Sequence, residues 1–390
     1  MQNVDINERS TVIQSTIAAY RMYRHVPASK GRALVAMSGG VDSTVAVALM
    51  VAQGYETIGA TLKLRSEKLD LSTDRSCCSP QDIEDAARAA AILGCQHMVL
   101  DHTIDFEKEV VDRFVNAYLM GATPNPCVDC NRLIKFASFF DKRNELGFDV
   151  LVTGHYARTL YDPTLKRWLL LKGRDHEKDQ SYVLYNLTQE QLAHTRFPCG
   201  EFSKEEIRQL AVAIELPLAT KPDSQDICFI PNGKYHEFIQ KYTGHADETG
   251  RFYLFKNGQD MGPHKGFSAY TIGQRRGLGI SYSEPLYVVD KDPRTKAVYL
   301  GHNDDLMQRY LVAHSVNWIY LSNLNTTLRC TAKIRYSHKE APCTVRSLDN
   351  GTVEVLFDEP VRAITRGQSI VFYQDDYVLG GGVIATQGQS

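Results

Sequence analysis

The eight residues AMSGGVDS, at positions 36–43, restrict the fold of this chain more than any other stretch. They complete the apolar run that starts at Ala33, which is typical of a strand buried on both faces of a parallel sheet. The residues that follow predict a helix that ends at Gly54. A tight turn therefore joins a strand to a helix N-terminus. Such a turn binds phosphate through its N–H groups, and Gly39 and Gly40 let a ligand approach the main chain.

The pattern around this turn predicts the fold class. From about residue 31 to 200, short apolar runs alternate with helical segments such as 43–53 and 105–119, which indicates a doubly wound α/β domain with a parallel sheet. SPQDIEDAARAAAILG, from Ser79, predicts a helix with a capping box, and a further capped helix is expected at 203–215. The glycine-rich middle, GPHKGFSAYTIGQRRGLGI, predicts no regular element.

The last third of the chain alternates polar and apolar residues with a period of two. LRCTAKIRY, CTVRSL and TVEVLF have this pattern, and Asp349-Asn350-Gly351 predicts a hairpin turn between two of them. We therefore expect a C-terminal antiparallel module after a small middle domain, a β-barrel with a sandwich as the alternative. The N-terminal segment TVIQSTIAAYRMYRHV predicts an amphipathic helix packed on the main body, with an organelle-import signal as the alternative.

Length, composition and net charge limit the classes of protein to which this chain can belong. At 390 residues the chain exceeds one ordinary core, so two or three domains are expected. No apolar run approaches the ~20 residues that span a bilayer, so no membrane association is expected. Nine scattered cysteines favour a reducing, cytoplasmic location over a secreted disulfide framework. The net charge of −2 gives no overall sign of nucleic-acid binding, so any such contact requires local basic patches.

Two cysteine-bearing segments suggest sulfur or metal chemistry. TPNPCVDCNRLIKF, residues 123–136, predicts a rigid loop with Cys127 and Cys130 as a C-x-x-C pair. The pair could be half of a zinc site, a redox or sulfur-handling pair, or ligands of an iron–sulfur cluster. The residues CC at 77 and 78 have the wrong spacing to complete a zinc site. KPDSQDICFI places Cys228 in a loop, where an inert buried thiol is the default interpretation.

The glycine turn is neither a P-loop nor a dinucleotide fingerprint, because it lacks Gly-Lys-Ser/Thr and its glycines are adjacent. SGGVDS instead resembles the ATP pyrophosphatase (PP-loop) superfamily, which splits ATP into AMP and pyrophosphate. Together with TPNPCVDCNRLIKF, TGHYAR, DSQDICFI, GQRRGLGI and LGGGVI, it makes the chain resemble the tRNA-specific 2-thiouridylase family (MnmA/TrmU) from about residue 33 to 385. The resemblance implies ATP-dependent 2-thiolation of the wobble uridine, position 34, of tRNA. It also implies Mg²⁺, contact with the anticodon region of tRNA, and a sulfur donor such as a cysteine desulfurase or a sulfur-relay protein.

The chemistry of the base agrees with these residues. The C2 carbonyl oxygen of uracil is a poor leaving group, so adenylation must first convert it to AMP, and sulfur must arrive activated. By resemblance, Cys228 carries a persulfide and Cys130 helps to release its sulfur and closes a transient disulfide. Many members of the family have an aspartate where this chain has Cys127. Three thiolates, Cys127, Cys130 and Cys228, could alternatively hold a 4Fe-4S cluster.

The resemblance assigns further roles residue by residue. The residues implied in ATP binding are Ala36, Met37, Ser38, Gly39, Gly40, Val41, Asp42, Ser43, Leu62 and Gly154, with Asp42 also a candidate for Mg²⁺. The residues implied near the target base are Asn125, Pro126, Cys127 and His155. The residues implied in tRNA binding are Lys178, Asp179, Gln180, Arg335, Tyr336 and Gln368.

The implied domains are an N-terminal extension (1–30), a PP-loop catalytic domain (31–205), a middle tRNA-contacting domain (206–305) and the β-barrel (306–390). Cys95, Cys199, Cys330 and Cys343 are expected in the core, and Cys77 and Cys78 have no assigned role. Two alternatives stay open. The chain could be another PP-loop ligase, such as a GMP or NAD synthetase, or an RNA-binding sulfur carrier without catalysis of its own.

Overall fold

The computed structural model describes residues 6–23, 30–65, 79–221, 227–230, 233–348 and 351–387, so Cys77, Cys78, Asp349 and Asn350 lie outside the described residues. Its α-helices are α1 (Ile6–Tyr23), α2 (Val41–Ala52), α3 (Pro80–Ile92), α4 (Thr103–Phe106), α5 (Arg113–Leu119), α6 (Pro126–Asp129), α7 (Phe136–Glu145), α8 (Gln189–His194), α9 (Lys204–Ala213) and α10 (Tyr235–Thr243). Two further segments, Glu107–Asp112 and Cys130–Lys135, are π-helical. No described helix is both long and apolar enough to cross a membrane.

The strands fall into three groups along the chain. They are β1 (Arg32–Ala36), β2 (Glu56–Lys63), β3 (Gln96–Asp101), β4 (Val150–Thr153), β5 (Ala157–Asp162), β6 (Arg167–Lys172), β7 (Thr195–Arg196), β8 (Arg251–Leu254), β9 (Asp260–Pro263), β10 (Tyr287–Asp292), β11 (Ala297–Gly301), β12 (Met307–Trp318), β13 (Leu328–Lys333), β14 (Ala341–Ser347), β15 (Val353–Arg362), β16 (Ser369–Gln374) and β17 (Tyr377–Gln387). The chain divides into two compact units, one of Met1–Glu107 with Cys130–Phe229, the other of Lys108–Asp129 with Ile230–Ser390.

The first unit contains the predicted parallel sheet, in the order β3-β2-β1-β4-β7. The chain order reverses on the two sides of β1, since β2 pairs with one edge of it and β4 with the other. Ligands of open α/β sheets bind at such a switch point, beyond the carboxyl ends of the strands. The glycine turn follows β1 directly, so the topology places it at the position where this fold binds ligands.

Helices α1, α2 and α3 form as their sequence patterns predict. Ile13, Ile17 and Tyr20 of α1 are buried in one core with α2, so this helix packs on the body of the first unit. At α3, Ser79 Oγ accepts the Asp82 N–H, and the Asp82 carboxylate accepts the Ser79 N–H in return, which is the expected capping box. Helix α2 is buried on nearly all sides, because it lies between the sheet and other helices.

The sequence analysis did not predict the antiparallel hairpin β5–β6 in the first unit, because that region was included in the alternating pattern. In the second unit, β10-β11-β8-β9 form a small sheet. The first two residues of the glycine-rich stretch end β9, where the expectation of no regular element is wrong, and the rest has only a short 3₁₀ turn at Phe267–Ala269. Strands β12-β15-β14-β13-β16-β17 form the expected barrel, which closes because β12 also pairs with β17. Cys330 and Cys343 are buried in its core, as expected.

Candidate active site

The glycine turn presents two serines and a helix N-terminus to the same point. The Ser38 N–H donates to Ser43 Oγ at 3.1 Å, and the two serine hydroxyl oxygens lie 3.3 Å apart. Gly40 is the N-cap of α2 and has no side chain that could cap it. The first N–H groups of a helix have no intrahelical acceptor and carry partial positive charge. We call residues 36–43 the ATP loop, since this arrangement suits a polyphosphate.

Two glycines allow the ATP loop to pack closely against its neighbours. Gly39 has φ +69°, and a Cβ there would lie 2.3 Å from the Asp82 carbonyl oxygen of α3. A Cβ at Gly154, which follows β4, would lie 2.7 Å from the Ser43 nitrogen in the first turn of α2. Gly154 therefore has a packing role that its predicted role in ATP binding did not include. The Leu62 side chain is buried in β2.

Asp42 is held by two side chains that the sequence analysis did not single out. Lys204 Nζ lies 2.7 and 2.8 Å from the two Asp42 carboxylate oxygens, and the Tyr156 hydroxyl donates to Oδ1 at 2.8 Å. Lys204 is at the start of α9, 162 residues along the chain, so no local pattern could have indicated the pair. Mg²⁺ in nucleotide sites usually binds through one or two carboxylates together with substrate phosphates. The role of Asp42 as a magnesium ligand stays a prediction, and the structure pairs its carboxylate with Lys204.

The segment with the C-x-x-C pair is helical rather than the expected loop. Pro126 is the first residue of α6, and the Asn125 side chain accepts the Cys127 N–H at 3.1 Å. Asparagine before a helix followed by proline at its first position is a common start signal, which the sequence analysis interpreted as part of a rigid loop. Cys127 is exposed, and Cys130 is buried at the start of a π-helical segment. Such segments are frequent at functional sites.

Cys228 is half-buried and belongs to the same compact unit as Cys130. Its carbonyl oxygen accepts from Arg65 at 2.8 Å, and the neighbouring Phe229 ring packs edge-on against Phe106 at 5.7 Å. None of the seven cysteines in the described ranges is in a disulfide.

A metal ion or cluster in this protein would need several ligating side chains at one place. Among the residues that the structure describes, no three His, Cys, Asp or Glu side chains are grouped so that they could hold a metal ion. A 4Fe-4S cluster requires cysteine thiolates gathered around its irons, so the cluster on Cys127, Cys130 and Cys228 stays a prediction.

His155 follows Gly154 and contacts the helix that continues from Cys130. Its ring lies 6.0 Å from Phe136 and 6.2 Å from Phe197, and Nδ1 is 2.8 Å from Thr153 Oγ1. Burial, together with the positive charge of Lys135, lowers the pKa of His155 to about 3. The imidazole is therefore neutral at physiological pH, which suits hydrogen bonding to an uncharged base rather than to phosphate.

Several predicted tRNA contacts have internal partners in the first unit. Asp179 is buried, and its carboxylate accepts the N–H groups of Gly173 and Ser181 and the Ser181 hydroxyl. Gln180 Oε1 accepts the Tyr156 N–H at 3.0 Å. Direct tRNA contact by the Asp179 carboxylate is inconsistent with this burial, so we assign that side chain to holding the loop.

The predicted tRNA contacts in the second unit are of two kinds, side chains with partners inside the protein and one exposed side chain. One Arg335 nitrogen donates to the carbonyls of Ile272 and Ala363 and to the Thr365 hydroxyl, which joins the middle sheet region to the barrel. The Gln368 amide donates to the Thr123 carbonyl at 2.6 Å, two residues before Asn125. Tyr336 is 44% exposed.

Comparison with known proteins agrees with this organisation. Three family descriptions match: "tRNA methyl transferase HUP domain" over residues 31–232, "tRNA methyl transferase PRC-barrel domain" over 236–302, and "Aminomethyltransferase beta-barrel domain" over 308–384.

Curated relatives align over nearly their whole length. The tRNA-specific 2-thiouridylase MnmA of Clostridioides difficile is 43% identical over 90% of this chain and 98% of its own. The enzyme of the same name from Caldicellulosiruptor saccharolyticus is 46% identical over 91% of this chain and 98% of its own. The tRNA-specific 2-thiouridylase MnmA 2 of Thermoanaerobacter sp. is 47% identical over 90% of this chain and 97% of its own. With this identity over this share of both sequences, the chain belongs to the tRNA-specific 2-thiouridylase family.

Proposed function

We propose that this protein catalyses the ATP-dependent 2-thiolation of the wobble uridine of tRNA and releases AMP and pyrophosphate. One observation carries the proposal. The ATP loop and the two thiols assigned to sulfur transfer, Cys130 and Cys228, belong to one compact unit. Relatives of closely similar length are named tRNA-specific 2-thiouridylases, which supports the same substrate here.

In the first step the ATP loop holds the phosphates. The uridine O2 attacks the α-phosphorus, the bond to the β-phosphate oxygen breaks, and pyrophosphate leaves. Ser38, Ser43 and the N-terminus of α2 stabilise the charge that develops on the phosphates, because their donors are fixed before ATP arrives. The product is an adenylated base whose C2 oxygen now leaves as AMP.

In the second step the terminal sulfur of a Cys228 persulfide attacks C2 and AMP departs. The Cys130 thiolate then attacks the Cys228 sulfur and breaks its bond to the transferred sulfur, which leaves as the 2-thio group. A Cys130–Cys228 disulfide remains, so the two thiolates supply the two electrons that the persulfide sulfur gains. An external thiol reduces this disulfide, and a sulfur donor of the cysteine desulfurase or sulfur-relay class reloads Cys228.

The test uses the full-length protein with substrate tRNA, ATP and a cysteine desulfurase with cysteine. We expect Cys228→Ser and Cys130→Ser to abolish 2-thiouridine, measured by mass spectrometry of digested tRNA, while tRNA-dependent release of pyrophosphate, the product of the first step, persists. Cys95→Ser is the matched control, because Cys95 is a half-buried thiol of the same unit whose sulfur contacts Thr57 Oγ1 and the Leu93 carbonyl, groups with no role in the proposed chemistry. Undiminished 2-thiouridine in Cys228→Ser would refute the sulfur route. Absence of AMP release from the wild type would refute adenylation and favour a sulfur carrier without catalysis.

A further inference from the structure

The Asp42–Lys204 pair places a full negative and a full positive charge at the N-terminal end of α2. Asp42 is in the first turn of this helix, within the ATP loop. Lys204 Nζ lies 2.7 and 2.8 Å from the two carboxylate oxygens, so both oxygens accept from one ammonium group. The Lys204 side chain is 11% exposed and the Asp42 side chain 31%, so solvent screens the two charges only in part.

The helix that carries Lys204 does not explain a lysine at this position. Lys204 is the first residue of α9, and a cation is unfavourable at a helix N-terminus, which itself carries partial positive charge. This end is capped without the lysine side chain, because Ser203 is the N-cap and Asp175 accepts the Lys204 N–H at 3.0 Å. The ammonium group instead contacts both Asp42 oxygens and lies 5.8 Å from the centre of the Tyr156 ring. Tertiary contacts therefore account for the lysine.

The direction of the Asp42 carboxylate is fixed from two sides. The Tyr156 hydroxyl donates to Oδ1 at 2.8 Å, in addition to the two contacts from Lys204. The Cys199 thiol donates to the Asp42 main-chain carbonyl at 3.3 Å. Asp42 is thus held by its side chain and its main chain in the structure without a nucleotide.

A charge count shows what Lys204 contributes to the ATP loop. A helix N-terminus acts as roughly half a positive charge, which attracts phosphate. The Asp42 carboxylate alone would change that end of α2 to roughly half a negative charge, and Lys204 returns it to roughly half a positive one. Two further carboxylates near the loop, Asp82 and Asp85, are paired with Lys221. Removal of Lys204 would therefore leave an unbalanced carboxylate where a polyphosphate is proposed to bind.

We propose that Lys204 is a positioning residue that holds and neutralises the Asp42 carboxylate, so that the ATP loop keeps the positive potential that a polyphosphate requires. This inference rests on the proposed function, in which the phosphates of ATP occupy the loop. It adds the residue that allows a loop with an acidic first turn to accept them. It assigns no bond-making step to Lys204.

The experiment compares ATP with adenosine, which has the same base and sugar but no charge. Isothermal titration with the full-length protein and Mg²⁺ gives the Kd of ATP, and competition with ATP gives that of adenosine. In Lys204→Gln we expect ATP to bind about tenfold more weakly and adenosine to bind within about twofold of its wild-type affinity. A general loss of structure would weaken both ligands alike. Lys204→Arg keeps the charge and should retain most of the affinity for ATP.

Removal of the unbalanced carboxylate is the second arm of the experiment. When Asp42→Asn is added to Lys204→Gln, the amide oxygen still accepts from the Tyr156 hydroxyl but carries no charge. We expect this double variant to bind ATP within about threefold of the wild type, because the effects of paired residues are not additive. If Asp42 acted chiefly as a ligand of Mg²⁺, the double variant would bind ATP more weakly than Lys204→Gln.

Lys142→Gln is the matched control. Lys142 is 26% exposed and pairs with Glu145 on α7, so this variant removes a lysine–carboxylate pair of the first unit that is outside the ATP loop. It must keep the wild-type affinities for both ligands. If Lys204→Gln does not fold, Asp42→Asn alone replaces it. The charge of Lys204 is then unbalanced, and ATP should bind several-fold more tightly while adenosine binds as before.

The inference is overturned if Lys204→Gln binds ATP as well as the wild type, or if its affinities for ATP and adenosine fall equally. It is also overturned if the double variant binds ATP more weakly than Lys204→Gln does. These titrations require neither tRNA nor a sulfur donor. A wild type that binds ATP but makes no 2-thiouridine refutes the proposed function, whereas a wild type that makes 2-thiouridine, together with a Lys204→Gln variant of unchanged ATP affinity, refutes only the role of Lys204.

Discussion

Replacing Gly154 by alanine tests whether close packing between β4 and α2 shapes the ATP loop. The added Cβ would lie 2.7 Å from the Ser43 nitrogen and 2.8 Å from the Asp42 carbonyl carbon, whereas ordinary contact begins at 3.4 Å. Both are backbone atoms, so no side chain can rotate away, and the first turn of α2 must shift by several tenths of an ångström. Overpacking of this kind costs about 1–3 kcal/mol.

This free-energy cost should be measurable as a lower melting temperature and weaker ATP binding. Each kcal/mol lowers the melting temperature of a unit of about 200 residues by about 3 °C, so Gly154→Ala should lower that of the first unit by about 3–9 °C. The shifted N–H groups should also weaken ATP binding by about tenfold, the equivalent of one charge-assisted hydrogen bond. Differential scanning calorimetry and isothermal titration with ATP measure the two effects.

Gly40→Ala is the matched variant. A Cβ at Gly40 would meet only Ser38 Oγ, at 3.5 Å, and the backbone there is extended, with φ −102°. We expect this variant to melt within a degree or two of the wild type but to bind ATP weakly, because the Cβ occupies the space that a phosphate needs. A Gly154→Ala protein with wild-type stability and ATP affinity would refute the packing argument. Gly40→Ala with full ATP affinity would place the phosphates elsewhere.

Two further predictions concern His155 and Cys127. Burial, with the nearby Lys135, lowers the pKa of His155 from 6.5 to about 3. The unfolded chain therefore binds a proton at a higher pH than the folded chain does, and the stability of the fold decreases as the pH drops from 6.5 towards 3. At pH 5 this one group should cost about 2 kcal/mol, and urea denaturation at pH 7 and pH 5 should show a smaller loss in His155→Gln. Cys127→Asp, which introduces the aspartate that the family resemblance implies at this position, should keep 2-thiouridine formation in a protein purified anaerobically without iron. Loss of activity in this variant, together with bound iron and sulfide in the wild type, would instead favour the cluster.

The sequence was most informative where local chemistry decides the structure. The strand–turn–helix at the ATP loop, the capping box of α3 and the alternating strands of the barrel depend on near neighbours, so their patterns predict them directly. Cys199, Cys330 and Cys343 are buried as expected, and Cys95 is half-buried. The same local reasoning could have predicted the helix that begins at Pro126, but the neighbouring asparagines and prolines were interpreted as a loop.

Contacts across long stretches of sequence could not be predicted in this way. Lys204 reaches Asp42 and Lys221 reaches Gly39 only after the sheet has brought α9 and the following segment to its carboxyl edge. The burial of Asp179 and the internal partners of Arg335 also follow from tertiary packing. A charged residue in a familiar motif therefore suggested contact with RNA, although its partners are within the protein.

The π-helical segment Cys130–Lys135 has a consequence for how this part of the chain tolerates change. A π turn contains one residue more than an α turn, so deleting a single residue would let it relax into a regular helix. That relaxation would rotate Cys130 by about 100° relative to α7, although the Cys130 side chain itself would still be present. The orientation of this thiol is thus encoded by the number of residues in the turn as well as by their identity.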